Sequence, residues 1–405
     1  MGLSVWKFGG TSVGSVERIK LIARRIARER KAGRELVIVV SAMGDTTDDL
    51  LELARQVTTN PKPRELDFLL STGELVSSAL LAMALNDIGC RAISLSGYQA
   101  GILTDPIYSR ARILKIDTKR LREELDRGNV VVVAGFQGMN EGMDVTTLGR
   151  GGSDTTAVAL AAALNAEECR IYTDVDGVYT ADPSVVLEAR KLDRIGYEEM
   201  LELASYGAKV LHPRAVEIGW WFKIPIVVAS SFNDNAGTLI DGGESMEVRR
   251  KATAVAHDLN VAKITIVGVP DRPGIAASIF EPLADAGISV DCIVQNASID
   301  GITDLTFTVS RENVGEVMKI IQPIAKEIGA AKCVSDTHVG KVSLIGAGML
   351  NTPGYAAKMF KALAREGINI ELISTSEIRI TCILREDKVP DAVRVFHREF
   401  ELASA

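Results

Sequence analysis

The segment Lys7-Phe8-Gly9-Gly10-Thr11-Ser12 sets a cation directly before two glycines. Glycines let a backbone come close to a bulky anion and turn its N–H groups inward. The segment ends an apolar run and opens a helical pattern, so a helix N-terminus adds partial positive charge. That combination suits a phosphate group. It is not the G-x-x-x-x-G-K-[ST] loop, because here the lysine precedes the glycines. Taken alone, it could be a plain strand-to-helix turn with a lysine nearby. A second cation, Lys209, lies in Gly207-Ala208-Lys209-Val210-Leu211-His212-Pro213. Phosphoryl transfer needs negative charge neutralised on more than one side, usually with Mg²⁺ as well.

Other segments suit an amino acid. In Thr146-Thr147-Leu148-Gly149-Arg150-Gly151-Gly152-Ser153-Asp154, glycines flank an arginine, and Ser153 or Asp154 is placed to cap the helix that follows. Arginine grips a carboxylate through two parallel bonds, and Asp154 can accept from an ammonium. Glu74 sits in Ser71-Thr72-Gly73-Glu74, inside an apolar helical stretch where an acid needs a partner; a bound ammonium would be one. Ser41 to Thr47 follow the second apolar run. Tyr172 to Pro183 follow a later one, with acids and a glycine that favour a turn and a tyrosine that could lie against a purine. Calcium is the competing reading there, but the downstream glutamate of a calcium loop is missing.

Residues 1–240 alternate two periods. Apolar runs at Leu3 to Phe8, Leu36 to Val40, Ala92 to Leu95, Val130 to Ala134, Cys169 to Tyr172 and Ile224 to Val228 read as strands covered on both faces. Residues 15–32 read as an amphipathic helix with Val16, Ile19, Ile22, Ala23 and Ile26 on one face. Residues 66–88 and 153–164 read as buried helices. The alternation implies a three-layer α/β architecture with a mainly parallel sheet. Asp241-Gly242-Gly243-Glu244-Ser245 reads as the start of a linker. Beyond it the chain repeats. Val261 to Gly268 resembles Val339 to Gly346, and Pro353-Gly354 lies 80 residues after Pro273-Gly274, as do Phe360 after Phe280 and Gly367 after Gly287. Each copy reads as a ferredoxin-like βαββαβ unit.

A net charge of −7 argues against nucleic acid as the main partner, so any positive site must be local. The five cysteines form no C-x-x-C pair and the four histidines no metal-ligand spacing; His212 reads as structural. Neither a signal-peptide hydrophobic region nor an uninterrupted apolar run of membrane-span length is evident, so a cytoplasmic location without a membrane partner is expected.

Together, K-F-G-G-T-S, S-A-M-G-D-T-T, S-T-G-E, T-T-L-G-R-G-G-S-D-T-T-A, Y-T-D-V-D-G-V-Y-T-A-D-P, G-A-K-V-L-H-P and N-I-E-L-I-S-T-S-E resemble the aspartokinase family, in its monofunctional bacterial form with two ACT domains. The resemblance spans essentially the whole chain. It implies an amino-acid kinase fold at residues 1–241, a linker at 242–258, and ACT domains at 259–335 and 336–405. The implied reaction is ATP-dependent phosphorylation of the β-carboxylate of L-aspartate, first step toward lysine, threonine and methionine, with Mg²⁺ held mainly by the ATP phosphates. A carboxylate acceptor is already ionised near neutral pH and needs no strong base.

The resemblance also implies roles by position. Lys7, Lys209 and Asp154 would be catalytic. Lys7, Phe8, Gly9, Gly10, Thr173, Asp174, Tyr179, Asp182, Lys209 and Val210 would contact ATP. Ser41, Thr47, Glu74, Arg150, Gly151, Gly152, Ser153 and Asp154 would contact aspartate, Glu74 at the ammonium and Arg150 at the α-carboxylate. A threonine and/or lysine effector would meet Asp271, Gly274, Ile275, Ala276, Ala277, Gln295, Asn296 and Asp304 of the first copy. Asn351, Pro353, Gly354, Asn369 and Ile370 of the second would complete the pocket from another chain of a homo-oligomer. An internal start at Met246 would give a second, shorter subunit.

Three rival readings are weaker. Gly346-Ala347-Gly348 after a strand imitates a dinucleotide loop, but Asn351 stands where its third glycine belongs. A kinase for acetylglutamate, glutamate, carbamate or a nucleotide would share the Lys-Gly-Gly element alone. A non-catalytic amino-acid sensor would not need both lysines.

Overall fold

The computed structural model describes residues 2–208, 210–242, 252–296, 301–349 and 352–403. Lys209, Met246 and Asn351 lie outside the described residues. The chain divides into two compact units, residues 1–179 with 191–249, and residues 180–190 with 250–405.

The first unit runs β1 (Leu3–Phe8), α1 (Val16–Lys31), β2 (Glu35–Val40), α2 (Thr46–Val57), α3 (Pro63–Asp87), β3 (Ala92–Leu95), β4 (Ile102–Thr104), β5 (Ile113–Ile116), α4 (Lys119–Asp126), β6 (Val130–Ala134), β7 (Gln137–Met139), β8 (Val145–Thr147), α5 (Gly152–Leu164), β9 (Glu168–Thr173), β10 (Arg194–Gly196), α6 (Tyr197–Ser205), α7 (Pro213–Phe222), β11 (Ile226–Ser230) and β12 (Thr238–Asp241). Eight strands order as β10-β12-β11-β9-β1-β2-β6-β3. Among the described residues, only β11 and β12 pair antiparallel within it. Val37 to Val40 and Val130 to Ala134 are fully buried, as helices on both faces require. A second sheet, β5-β4-β7-β8, comes from three- and four-residue strands too short to show a period in the sequence.

Ser15 caps α1 by accepting from the Arg18 N–H, and Ile19, Ile22, Ala23 and Ile26 face the core as expected. Val16, expected on that face, is exposed, since it precedes the first turn's contact with the sheet. Helix α3 is the larger surprise. Its 25 residues are apolar and long enough to cross a membrane by length and composition. Yet beside Leu70, Leu81 and Leu85 its buried residues include Asp67, Ser71, Glu74, Ser77 and Ser78, while Phe68, Leu75, Val76 and Met83 are exposed. The polar stripe is buried because loops pack on it.

The second unit runs β13 (Ala254–Pro270), α8 (Ile275–Asp285), β14 (Ile293–Gln295), β15 (Ile302–Val309), α9 (Val314–Glu327), β16 (Lys332–Ile345), α10 (Tyr355–Arg365), β17 (Leu372–Thr375), β18 (Arg379–Arg385) and α11 (Val389–Glu399). Its sheet orders β14-β15-β13-β16-β18-β17. The first copy is a complete βαββαβ unit ending in the first half of β16. The second begins in the other half of β16 and ends on α11, one strand short. That strand is Ala254 to Asp258, which pairs with Lys341 to Ile345. These residues fall in the segment read as linker from sequence; here they form the start of β13.

Residues 180–190 complete this unit. Ala181 and Val186 join the core of Leu344, Val393 and Phe396. The Val255 N–H donates to Thr180 O at 2.8 Å, and Thr180 Oγ1 lies 3.0 Å from His397 Nε2. Burial lowers the His397 pKa.

Candidate active site

The carboxyl ends of five strands finish at one level. Gly9 N–H donates to Tyr172 O at 3.3 Å, Ser41 N–H to Phe8 O at 3.1 Å, Gly135 N–H to Val40 O at 3.0 Å and Ser231 N–H to Thr173 O at 2.8 Å. Each loop thus leaves the sheet tied to its neighbour, and ligands bind at this end of open α/β sheets. The Lys-Gly-Gly loop packs directly on the Ser41–Gly44 loop. A Cβ at Gly10 would come within 3.0 Å of Ala42 O and 3.2 Å of Gly44 O, so only glycine fits there without displacing backbone.

Lys7 extends from β1 between its partners Val39 and Ile171. Its Nζ lies 2.6 Å from Asp154 Oδ1, and both side chains are about nine-tenths covered. The same Nζ is 3.5 Å from where a Gly9 Cβ would stand, so the cation borders the glycines. Asp154 belongs to the first turn of α5. The sequence expectation that Ser153 or Asp154 caps this helix is corrected: the cap is Gly151, in left-handed conformation at φ 67°, with no side-chain acceptor. A Cβ there would come within 2.3 Å of the His212 ring, so His212 occupies the place of a Gly151 side chain. Ser153 packs against Gly135 in the same way, its Oγ 2.8 Å from where a Gly135 Cβ would stand. Leaving both flanking side chains uncommitted to capping keeps the positive helix end turned toward the loops.

Glu74 lies beneath the Ser41–Gly44 loop. Its Oε1 accepts from the Ala42 N–H at 3.1 Å, while its Oε2 is buried with no hydrogen-bond partner among the described residues. Burial pushes its pKa up to about 7, against a lesser lowering by the Ala42 N–H. The Ser77 hydroxyl donates to Ser41 O at 2.7 Å, and a Gly73 Cβ would meet Ala42 Cβ at 2.8 Å. Helix α3 therefore fixes this loop by contact at three points. Thr47 is partly buried in the first turn of α2.

The structure thus brings together Lys7, Gly9, Gly10, Ser41, Glu74, Gly151, Gly152, Ser153 and Asp154, with Phe8 buried beneath them and stacked on Tyr172 at 4.8 Å. Arg150 is exposed on its loop. Thr173 ends β9 and donates to Asp174 at 3.0 Å; Tyr179 pairs with Lys191 as an isolated bridge. Val210 stands in a turn. Asp182 belongs to the second unit, where it is exposed and accepts from Ser184.

Sequence reasoning missed Asp67 and Arg214. Arg214 donates to Leu148 O at 2.7 Å and Ala111 O at 3.0 Å, clamping the loop before Arg150. Asp67 precedes Glu74 by seven residues, a spacing that puts both on one face of a helix. That spacing was the available signal.

In the second unit the two Pro-Gly loops match. Gly274 and Gly354 each cap a helix in left-handed conformation, at φ 93° and 104°. Asp271, Ala276, Ala277, Gln295 and Asn296 are exposed around the first loop, and Ile275 is buried under it. Asp304 faces away from a free role, accepting from the Gly268 N–H at 2.9 Å. Pro353 and Asn369 are exposed, and Ile370 is half-buried against the second copy's core.

A site at the carboxyl end of a mainly parallel sheet, joined to a double ferredoxin-like unit, defines a kinase of small metabolites with appended ligand domains. The amino acid kinase family matches residues 2–230, and ACT domain families match 263–325 and 342–400. The aspartate kinase of Stutzerimonas stutzeri is 52% identical over 404 residues, covering 99% of this chain and 98% of that one. The Corynebacterium glutamicum aspartokinase is 51% identical over 407 residues, covering 99% and 97%. Escherichia coli aspartokinase III, solved with aspartate and ADP, superposes with a TM-score of 0.81 at 26% identity, over 98% of this chain and 99% of that one. The chain belongs to the aspartokinase family.

Proposed function

We propose that this enzyme transfers the γ-phosphoryl group of ATP to the side-chain carboxylate of L-aspartate, giving 4-phospho-L-aspartate. The observation that carries the reading is the Glu74 carboxyl, buried with one oxygen on Ala42 and the other without a partner among the described residues. Such an oxygen calls for a cationic donor, which the ammonium of an amino acid supplies. Arrival of that cation favours the ionised carboxylate, drawing its pKa down from about 7. Arg150 would take the α-carboxylate, with Ser41, Thr47, Gly151, Gly152 and Ser153 around the remainder. The side-chain carboxylate then points to the phosphate end.

There, Lys7, Gly9 and Gly10 would cradle the phosphates, with Phe8 buried beneath them as support rather than as a contact. Thr173, Asp174, Tyr179, Asp182 and Val210 would hold the rest of the nucleotide, with Lys209 at the transferred group. Lys7 is already held by Asp154, so it can turn to an arriving phosphate without first being drawn out of water. The protein's task is to align two anions and screen their repulsion. Mg²⁺ would ride on the triphosphate and add charge neutralisation.

Threonine and/or lysine would inhibit through the Asp271–Ala277 loop, Gln295, Asn296 and Asp304. Asn351, Pro353, Gly354, Asn369 and Ile370 of a second chain would close the pocket. The E. coli enzyme has also been solved with lysine and aspartate, which supports an amino-acid effector. We expect a cytoplasmic homo-oligomer, with a shorter subunit from Met246.

The test is ADP release by the full chain with aspartate, glutamate, acetylglutamate and carbamate, with hydroxylamine trapping of the acyl phosphate. Aspartate alone should give both signals, and threonine or lysine, singly or together, should suppress them. Turnover with another acceptor but not aspartate would overturn the assignment.

A further inference from the structure

Asp67 is fully buried in the second turn of α3, and among the described residues no cation pairs with its carboxylate. It is satisfied by four groups instead. The Ser109 N–H lies 2.9 Å from Oδ2 and its hydroxyl 3.1 Å from Oδ1. The Thr147 N–H lies 2.7 Å from Oδ2 and its hydroxyl 2.9 Å from Oδ1. A carboxylate stripped of water persists only when its acceptor capacity is filled in this way.

Both donors belong to the approach to Arg150. Ser109 has a φ of 64°, a conformation that non-glycine residues rarely adopt and that needs outside support. Its carbonyl oxygen lies 2.9 Å from where a Gly149 Cβ would stand, and Gly149 itself has a φ of 78°. The Ala111 N–H donates to Thr147 O at 2.9 Å, and Arg214 holds Leu148 O from the other side. Ser109, Thr147 and Gly149 are therefore built around one carboxylate, and Arg150 is the next residue.

Two turns further along the same helix face, Glu74 holds the Ser41–Gly44 loop through Ala42. Seven residues of helix separate the two acids by about 10 Å along the axis. Helix α3 thus carries two buried acids that each grip one loop of the site.

We propose that Asp67 is a positioning residue for the amino-acid substrate. Its carboxylate fixes the Thr147–Arg150 segment on α3, and so sets Arg150 against Glu74. The inference rests on the reading that Arg150 and Glu74 take the α-carboxylate and the ammonium of aspartate.

The test compares full-length wild type with Asp67→Asn, Thr147→Val and Thr147→Ser in steady-state assays that vary aspartate and ATP separately. Asp67→Asn turns one acceptor oxygen into a donor that faces donors, and should raise KM for aspartate by about tenfold or more. Thr147→Val removes one hydroxyl at constant volume and should raise it by roughly three- to tenfold. Thr147→Ser keeps the hydroxyl and should stay within about twofold of wild type. KM for ATP should move by less than about twofold throughout, a split that general loosening of the fold would not give. Folded Asp67→Asn or Thr147→Val with an unchanged KM for aspartate, or with both KM values rising together, overturns the proposal. If Asp67→Asn does not fold, the Thr147 pair decides. A wild type that does not use aspartate sinks the functional assignment instead, independently of the variants.

Discussion

In the first unit each strand fills one place in one sheet; in the second, β13 and β16 each fill two. The parallel sheet gathers its chemistry where strands end, so its functional residues sit a few positions past apolar runs. The antiparallel sheet has its two ferredoxin-like units exchange strands. Residues 263–267 of β13 pair with 332–336 of β16, while 254–258 pair with 341–345. Register shifts near Asp258 and Val261 mark the crossing, beside Gly340, whose Cβ would strike Val389 at 2.7 Å. A site made of loops tolerates change in its sheet as long as the strand ends keep their level. A shared strand makes each regulatory unit depend on the other's stretch of chain.

Truncation probes that contrast most severely. A fragment starting at Met246 lacks residues 180–190 but keeps Ala254 to Asp258, so it should retain the strand pairing of both copies. One starting at Asn260 lacks the strand that completes the second copy and should lose that copy's structure by circular dichroism and amide exchange. Equal folding of the two fragments would show that the exchanged strand is dispensable. In the parallel sheet, Lys7→Ala leaves strand pairing intact but should lower turnover by about a thousandfold or more, with folding retained by circular dichroism. Wild-type rates in that variant would remove the phosphate cradle from the mechanism.

A smaller effect is expected at Glu74. Its pKa in the fold is about 7, above its ordinary value of 4.5, so the folded state keeps a proton the unfolded chain releases. The associated stability is fully present below the ordinary value and is lost as pH rises through about 7. Glu74→Gln, which cannot ionise, should therefore melt a few degrees higher than wild type near pH 8 and about equally near pH 5 in ligand-free thermal scans. An equal gain at both pH values would show that ionisation is not involved. The smallest change concerns Thr180, whose hydroxyl lies against His397 and accepts from the Arg190 N–H. Thr180→Val should cost about 1 kcal/mol in urea unfolding. An unchanged unfolding midpoint would show that the Thr180–His397 contact adds nothing to the fold.

The strands of the parallel sheet were legible because burial on both faces demands unbroken apolar runs, and Leu3–Phe8, Ala92–Leu95 and Val130–Ala134 stand at the expected bounds. The Gly10 position was legible for a related reason, since a Cβ there would crowd the Ala42 and Gly44 carbonyls. The repeat of Pro-Gly loops announced two like units. Sequence alone therefore determined the order of the main parallel strands and the long helices, the doubling and the residue types at the loops, all of which depend on neighbours along the chain. Tertiary structure decided that α3 buries a polar stripe, that Gly151 caps α5, that Asp67 and Arg214 hold the loop before Arg150, and that residues 254–258 complete a domain whose other strands all lie beyond Ala331. Those outcomes turn on which distant groups must satisfy a buried polar atom or an open sheet edge, and no local pattern carries that demand.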